Sequence, residues 1–151
     1  IADAAVMHDV GKIAIPDGIL NKPGRLTAEE FEIMKTHTIR GCELLDSVPR
    51  FRENHVYKYA YDICRHHHER WDGRGYPDGL KGDEISIQAQ VVSVADVYDA
   101  LVSDRVYKKA YPRDTAYEMI RNGECGCFSP LLMEGLSRAK DKMKALYQRE
   151  K

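Results

Sequence analysis

Between residues 70 and 85 the chain carries Gly73, Gly75, Pro77, Gly79 and Gly82, a density of turn formers that no regular helix accommodates. Elsewhere apolar residues recur at three- and four-residue steps, while period-two alternation is scarce. The expected fold class is therefore all-α, a helical bundle with long Gly/Pro-rich loops. Residues 1–11 read as the end of a helix stopped near Gly11, and Pro16, Gly18, Pro23 and Gly24 mark a loop after it. Thr27 precedes Glu30 at capping-box spacing, so a helix starts there, with Phe31, Met34, Thr38, Cys42 and Leu45 on one face. Further helices are expected over about 53–69, from a Ser86 cap to about 103, over 114–122, and after Ser129-Pro130.

A length of 151 residues fits one domain with a single core. No apolar run approaches the roughly 20 residues needed to span a bilayer, and no signal-peptide pattern opens the chain. The expectation is a cytoplasmic module without a membrane segment. Lysine plus arginine number 23 against 24 acidic residues, a balance that does not suit a binder of duplex nucleic acid. A site for a small phosphate ligand needs only a few local cations. Cys42 and Cys64 fall at helix-like apolar positions and read as small core residues. Cys125 and Cys127 form a C-x-C pair with no second pair at zinc-finger spacing. The first residue is Ile1, so the sequence reads as cut from something longer.

The histidines carry most of the chemical information. His8 is followed by Asp9, His37 lies within a helix, and His66, His67 and His68 are consecutive. Asp96 interrupts the apolar run Val94–Val97, where an unpartnered buried carboxylate is costly. Imidazole with carboxylate suits iron, manganese, nickel or zinc. Asp9 has two oxygens with which to bridge two ions, and a water shared between them loses its proton near neutral pH and attacks phosphorus. The plainer alternative stays open at this point: a lone helical histidine is more often a core or surface residue, and triple histidine can be a solvated helix end.

His8-Asp9-Val10-Gly11-Lys12 resembles the HD-x-G-K signature of the HD-domain phosphohydrolases. The stretch from His67-His68-Glu69 through Asp72-Gly73 to Gly75-Tyr76-Pro77 resembles the extended motif of the HD-GYP family. Asp96 to Leu101, followed by Arg105-Val106-Tyr107-Lys108, is similar to a third block of that family, and Lys22-Pro23-Gly24 with the His37 helix to the segment between. The resemblance runs from about residue 5 to 135. It implies a single HD-GYP domain over 1–151, lacking an upstream helix that supplies another ligand in relatives.

The activity it implies is hydrolysis of cyclic di-GMP to pGpG and onward to GMP, through a metal-bridged hydroxide. Position by position, His8, Asp9, His37, His67, His68 and Asp96 match metal ligands for two or three divalent ions, iron or manganese. Asp9 and Lys12 match the catalytic positions, Lys12 as an electrostatic stabiliser at a phosphate oxygen. Arg105 and Lys108 match cations that contact the substrate, and Arg74 and Tyr76 of the GYP loop face its side. Trp71 is expected to anchor that loop. Implied partners are the cyclic dinucleotide, a GGDEF-type cyclase domain, an upstream receiver or sensor domain and a homodimer mate.

Phe128-Ser129-Pro130 departs from the family's F-D-P, yet serine still caps a helix. His66 exceeds the usual histidine pair. The rival reading is a catalytically silent module that binds a cyclic dinucleotide or a cyclase. A hydrolase of ordinary nucleotides is a third, against which the GYP block counts.

Overall fold

A computed structural model describes residues 1–104 and 109–146. The helices are α1 (Ala2–Ala5), α2 (Asp17–Leu20), α3 (Ala28–Lys35), α4 (His37–Asp46), α5 (Pro49–Arg52), α6 (Tyr57–His66), α7 (Ile87–Val102), α8 (Arg113–Arg121) and α9 (Pro130–Leu146). Short 3-10 turns cover Val10–Ala14 and Gly82–Glu84. Among the described residues the one extended pairing is an isolated antiparallel bridge between Asp72 and Lys81. The fold is all-α, as the periodicity predicts. No helix among the described residues is long and apolar enough to cross a membrane.

Two apolar clusters share α7. Val92 packs with Ala4, Cys42, Leu45, Ala60, Ile63 and Cys64 from α1, α4 and α6. Val94, Tyr98 and Leu101 pack with Ala116, Tyr117 and Ile120 of α8 and Leu136 of α9. The caps fall where the sequence puts them. Thr27 and Glu30 form a reciprocal capping box, Ser86 accepts from the Ala89 amide, and Ser129 accepts from the Leu132 amide.

Two expected helices are broken, each for a local reason. The run after Thr27 splits at Thr36, because Thr36, His37 and Thr38 turn their side chains onto the carbonyls of Ile33, Met34 and Lys35. Such back-bonding competes with the helical ladder and bends it. The helix expected from residue 53 begins only at Tyr57, since the Asn54 side chain takes the Val56 amide at 2.9 Å. It also stops at His66, short of 69.

Close backbone approaches fix the geometry that matters. A Cβ on Gly11 would stand 1.9 Å from the His37 carbonyl oxygen and 2.4 Å from the Gly41 nitrogen. Only a glycine lets the turn after Asp9 lie directly on α4. Gly75 has the same role in the glycine-rich loop, where a Cβ would come within 2.3 Å of Glu69 Cα. That loop folds back on the end of α6, and the Tyr76 amide donates to the His68 carbonyl.

Candidate metal centre

Four elements bring six polar side chains to one place. His8 and Asp9 leave α1 on a turn that leads into the 3-10 segment. His37 opens α4, His67 and His68 follow α6, and Asp96 lies on α7. Each of three imidazoles is oriented the same way. Nδ1 of His8 stands 2.7 Å from the Ala5 carbonyl oxygen, Nδ1 of His37 2.7 Å from that of Met34, and Nδ1 of His67 2.9 Å from that of Ile63. Against a carbonyl, Nδ1 must donate, so Nε2 of a neutral ring keeps its lone pair and points inward.

Two of those inward nitrogens, and one oxygen of Asp9, have no hydrogen-bond partner in the protein. Asp9 Oδ1, His37 Nε2 and His67 Nε2 are buried without a hydrogen bond. Orphaned buried acceptors are rare in folded proteins and need an explanation. Oδ1 of Asp9 lies 3.4 Å from His37 Nε2 and 3.9 Å from His67 Nε2. Oδ2 of the same carboxylate lies 3.3 Å from His8 Nε2, and His8 Nε2 is 3.8 Å from Asp96 Oδ1. Donors bound about 2.1 Å from one ion at near-right or tetrahedral angles stand roughly 3.0–3.4 Å apart. The donor atoms thus form two groups, Asp9–His37–His67–His68 and His8–Asp9–Asp96, each with its atoms within 4.8 Å of one another. Asp9 belongs to both. The residues present fit two metal ions joined by one carboxylate.

The protonation states agree with that use. Burial lowers the His37 pKa, and burial together with the neighbouring His8 and His37 pushes that of His67 down to about 4. Burial, then His67, lowers His68 as well. All three are neutral at physiological pH and ready to donate lone pairs. His8 differs: hydrogen bonds to Asp9 and then Asp96 hold its pKa up at about 10. Burial works to raise the Asp9 pKa, but hydrogen bonds from His8 and Lys12 outweigh it and hold the carboxyl far below the usual carboxylate range. Lys12 Nζ is 2.5 Å from Asp9 Oδ2.

His37 and His68 also form part of the wall of a cleft of about 790 Å³, with Lys12, Lys22, Arg25, Phe31 and Tyr76 among the other lining residues. Tyr76 lies with one ring face on His68, centroids 4.8 Å apart and planes 24° apart. Arg74 does not line this cleft; its side chain is 87% exposed beside Asp72. Arg105 and Lys108 fall outside the described residues. The backbone amide of Trp71 donates to the Cys127 carbonyl at 3.0 Å.

Behind the site lie two groups to which the sequence assigned no role, Glu69 and Arg70, and one, His66, that it singled out only as an extra histidine. Glu69 is 2% exposed and accepts the amides of Asp78 and Gly79 at 2.7 and 3.0 Å, closing the glycine-rich loop. Arg70 donates to Ser93 Oγ on α7 and lies over the Phe128 ring. His66 bridges Asp62 and Asp78 at 2.8 and 3.0 Å, which gives the extra histidine a role in holding the same loop. Of these, Glu69 stood within the quoted motif, and its position directly after paired histidines was the available signal.

Comparison with known proteins agrees with this geometry. The HD domain family matches residues 1–125. A cyclic di-GMP phosphodiesterase of Thermotoga maritima is 46% identical over 149 residues, covering 98% of this chain and 39% of that protein. A cyclic di-GMP phosphodiesterase response regulator of Xanthomonas campestris pv. campestris is 43% identical over 143 residues, 95% of this chain and 37% of that protein. A 3'3'-cGAMP-specific phosphodiesterase of Vibrio cholerae is 42% identical over 134 residues, 89% of this chain and 25% of that protein. The chain spans well under half the length of these relatives.

Proposed function

The chain belongs to the HD domain family, and from that premise we propose that it is a metal-dependent phosphodiesterase that hydrolyses cyclic di-GMP to pGpG and onward to GMP. The observation that carries the reading is the pair of donor groups sharing Asp9, with three buried acceptor atoms left unpartnered by the protein. Relatives named for this activity match along nearly the whole chain.

In this reading His8, Asp9 and Asp96 hold one divalent ion, and Asp9, His37, His67 and His68 the other. Imidazole and carboxylate donors without thiolate suit iron or manganese. Ions bound there supply Lewis-acid polarisation of phosphoryl oxygens and an acidified water. The chain's own residues do the rest. Asp9 fixes the spacing of the two groups, and the carbonyls of Ala5, Met34 and Ile63 hold the three imidazoles in the donating tautomer. Lys12, beside Asp9 and lining the cleft, places a cation where negative charge grows on the phosphoryl oxygens. The cleft of about 790 Å³ is of the size of small-molecule sites. Arg105 and Lys108 are assigned to the substrate phosphates and Tyr76 to the loop side of the cleft, while Arg74, which does not line the cleft, is given no substrate contact. The same reading makes residues 1–151 one HD-GYP domain acting in the cytoplasm, with an upstream receiver or sensor domain and a cyclase domain as partners.

A chromatographic time course tests this. Protein loaded anaerobically with iron(II) or manganese(II) is expected to convert cyclic di-GMP to pGpG, with turnover lost to a chelator and in His67→Ala. Mononucleotides run beside it are expected to survive. Tight binding of cyclic di-GMP without product would replace the enzyme reading by that of a silent receptor.

A further inference from the structure

Among the described residues three cations line the cleft, and two of them are already engaged. Lys12 is bound to Asp9 at 2.5 Å. Lys22 is bound to Glu30 at 2.5 Å, and that carboxylate also takes the Thr27 amide of the capping box. Arg25, exposed on the loop between α2 and α3, has no hydrogen bond or ion pair among the described residues. The aromatic side chains divide in the same way. Tyr76 has one face covered by His68 and meets Phe31 edge-on, with centroids 6.2 Å apart. Phe31 itself is 47% exposed and lines the cleft. Lys35 Nζ stands over the ring at 5.6 Å from its centroid, and the remaining exposed surface of Phe31, beside apolar Leu26 and Met34 in the cleft, is suited to stacking.

Resting on the phosphodiesterase reading, the geometry points to Arg25 and Phe31 as a purine subsite that selects guanine. Phe31 stacks on the base and the Arg25 fork addresses its edge. Guanine presents two adjacent acceptors, O6 and N7, which match the parallel N–H groups of a guanidinium. Adenine presents N7 beside an amino donor, so the same fork keeps one partner and faces one repulsive group. Among the described residues neither has a hydrogen bond, ion pair or ring contact with a metal donor, so the subsite sets which dinucleotide is held and leaves the reacting phosphate to the metal centre. The matched relatives include proteins named for cyclic di-GMP and others named for 3'3'-cGAMP, so base choice does vary across this set.

Equilibrium binding of hydrolysis-resistant phosphorothioate analogues of cyclic di-GMP and cyclic di-AMP to the manganese-loaded protein reads the subsite without turnover. Wild type is expected to favour the guanine analogue by roughly tenfold or more. Arg25→Ala is expected to weaken the guanine analogue by roughly tenfold to a hundredfold while leaving the adenine analogue near its wild-type affinity. Arg25→Lys keeps the charge but not the fork and is expected to restore little of the preference. Phe31→Ala is expected to weaken both analogues alike, because stacking tolerates either base. Equal weakening of both analogues by Arg25→Ala, the signature of a phosphate contact, overturns the assignment, as does no effect on either. Hydrolysis of unmodified cyclic di-GMP is followed in the same preparations. Turnover with no Arg25 effect removes the subsite alone. Guanine preference that depends on Arg25, without turnover, removes the phosphodiesterase reading alone.

Discussion

Gly11→Ala probes the contact that sets Asp9 against α4. The added methyl carbon would stand 1.9 Å from the His37 carbonyl oxygen and 2.4 Å from the Gly41 amide nitrogen. Both are backbone atoms, and neither can rotate away. Contacts of a Cβ below 3.0 Å essentially never occur, so the 3-10 turn must lift from α4 by about 1 Å. Overpacking of this kind costs about 1–3 kcal/mol, and rigid neighbours on two sides put this case at about 3 kcal/mol. The effect on the metal centre is larger. Ligand distances tolerate departures of only about 0.2 Å, and the turn that shifts carries both His8 and Asp9. Apparent affinity for manganese(II) is expected to fall by about 100-fold or more, at the upper end of what loss of an outer-shell partner causes. Isothermal titration with manganese(II), paired with urea denaturation, reads both quantities. Gly18→Ala is the control, since nothing lies within 4 Å of a Cβ there. Wild-type manganese affinity in Gly11→Ala would refute the claim that this contact builds the site.

Metal binding is also expected to release at least one proton per protein near pH 7.5, that of His8, in addition to any given up by a metal-bound water. The metal-free pKa of His8 is raised to about 10, so its proton must leave before Nε2 can ligate, whereas His37, His67 and His68 are held low and already neutral. Apparent affinity therefore rises with pH up to about 10, where His8 loses its proton unaided. Titrations in buffers of different ionisation enthalpy give the proton count, and a count of zero contradicts this assignment. Glu69→Ala strands the amides of Asp78 and Gly79 beneath the loop and is expected to cost about 2–4 kcal/mol in urea denaturation. Both amides donate to the one oxygen Oε1, which Glu69→Gln retains, so the glutamine variant is expected to cost much less than the alanine; a loss under about 0.5 kcal/mol in the alanine variant would sink the closing role given to Glu69.

How much of this was legible from sequence follows from the range of the interactions. The all-α class and the caps at Thr27, Ser86 and Ser129 rest on residues within four positions of one another, and the structure has them. The six residues His8, Asp9, His37, His67, His68 and Asp96 were readable because each lies in a local pattern of paired or apolar-flanked polar residues, and they do converge. The break at Thr36 was not readable, since it depends on three successive side chains choosing back-bonds over the helical ladder. The roles of Arg70 and Phe31 also escaped the sequence. The partners of Arg70, Ser93 and Phe128, lie far along the chain, and the exposure of Phe31 to the cleft exists only once α3 meets the glycine-rich loop. For the same reason the sequence placed Tyr76 on the substrate side without showing that one of its ring faces lies on His68.

The most direct test of the central claim, two ions sharing Asp9, is an anomalous difference map from crystals grown with manganese(II). The account predicts two peaks bridged by the Asp9 carboxylate, one beside His8 and Asp96 and the other beside His37, His67 and His68. Peaks elsewhere, or a single peak that leaves either group empty at saturating metal, would contradict it.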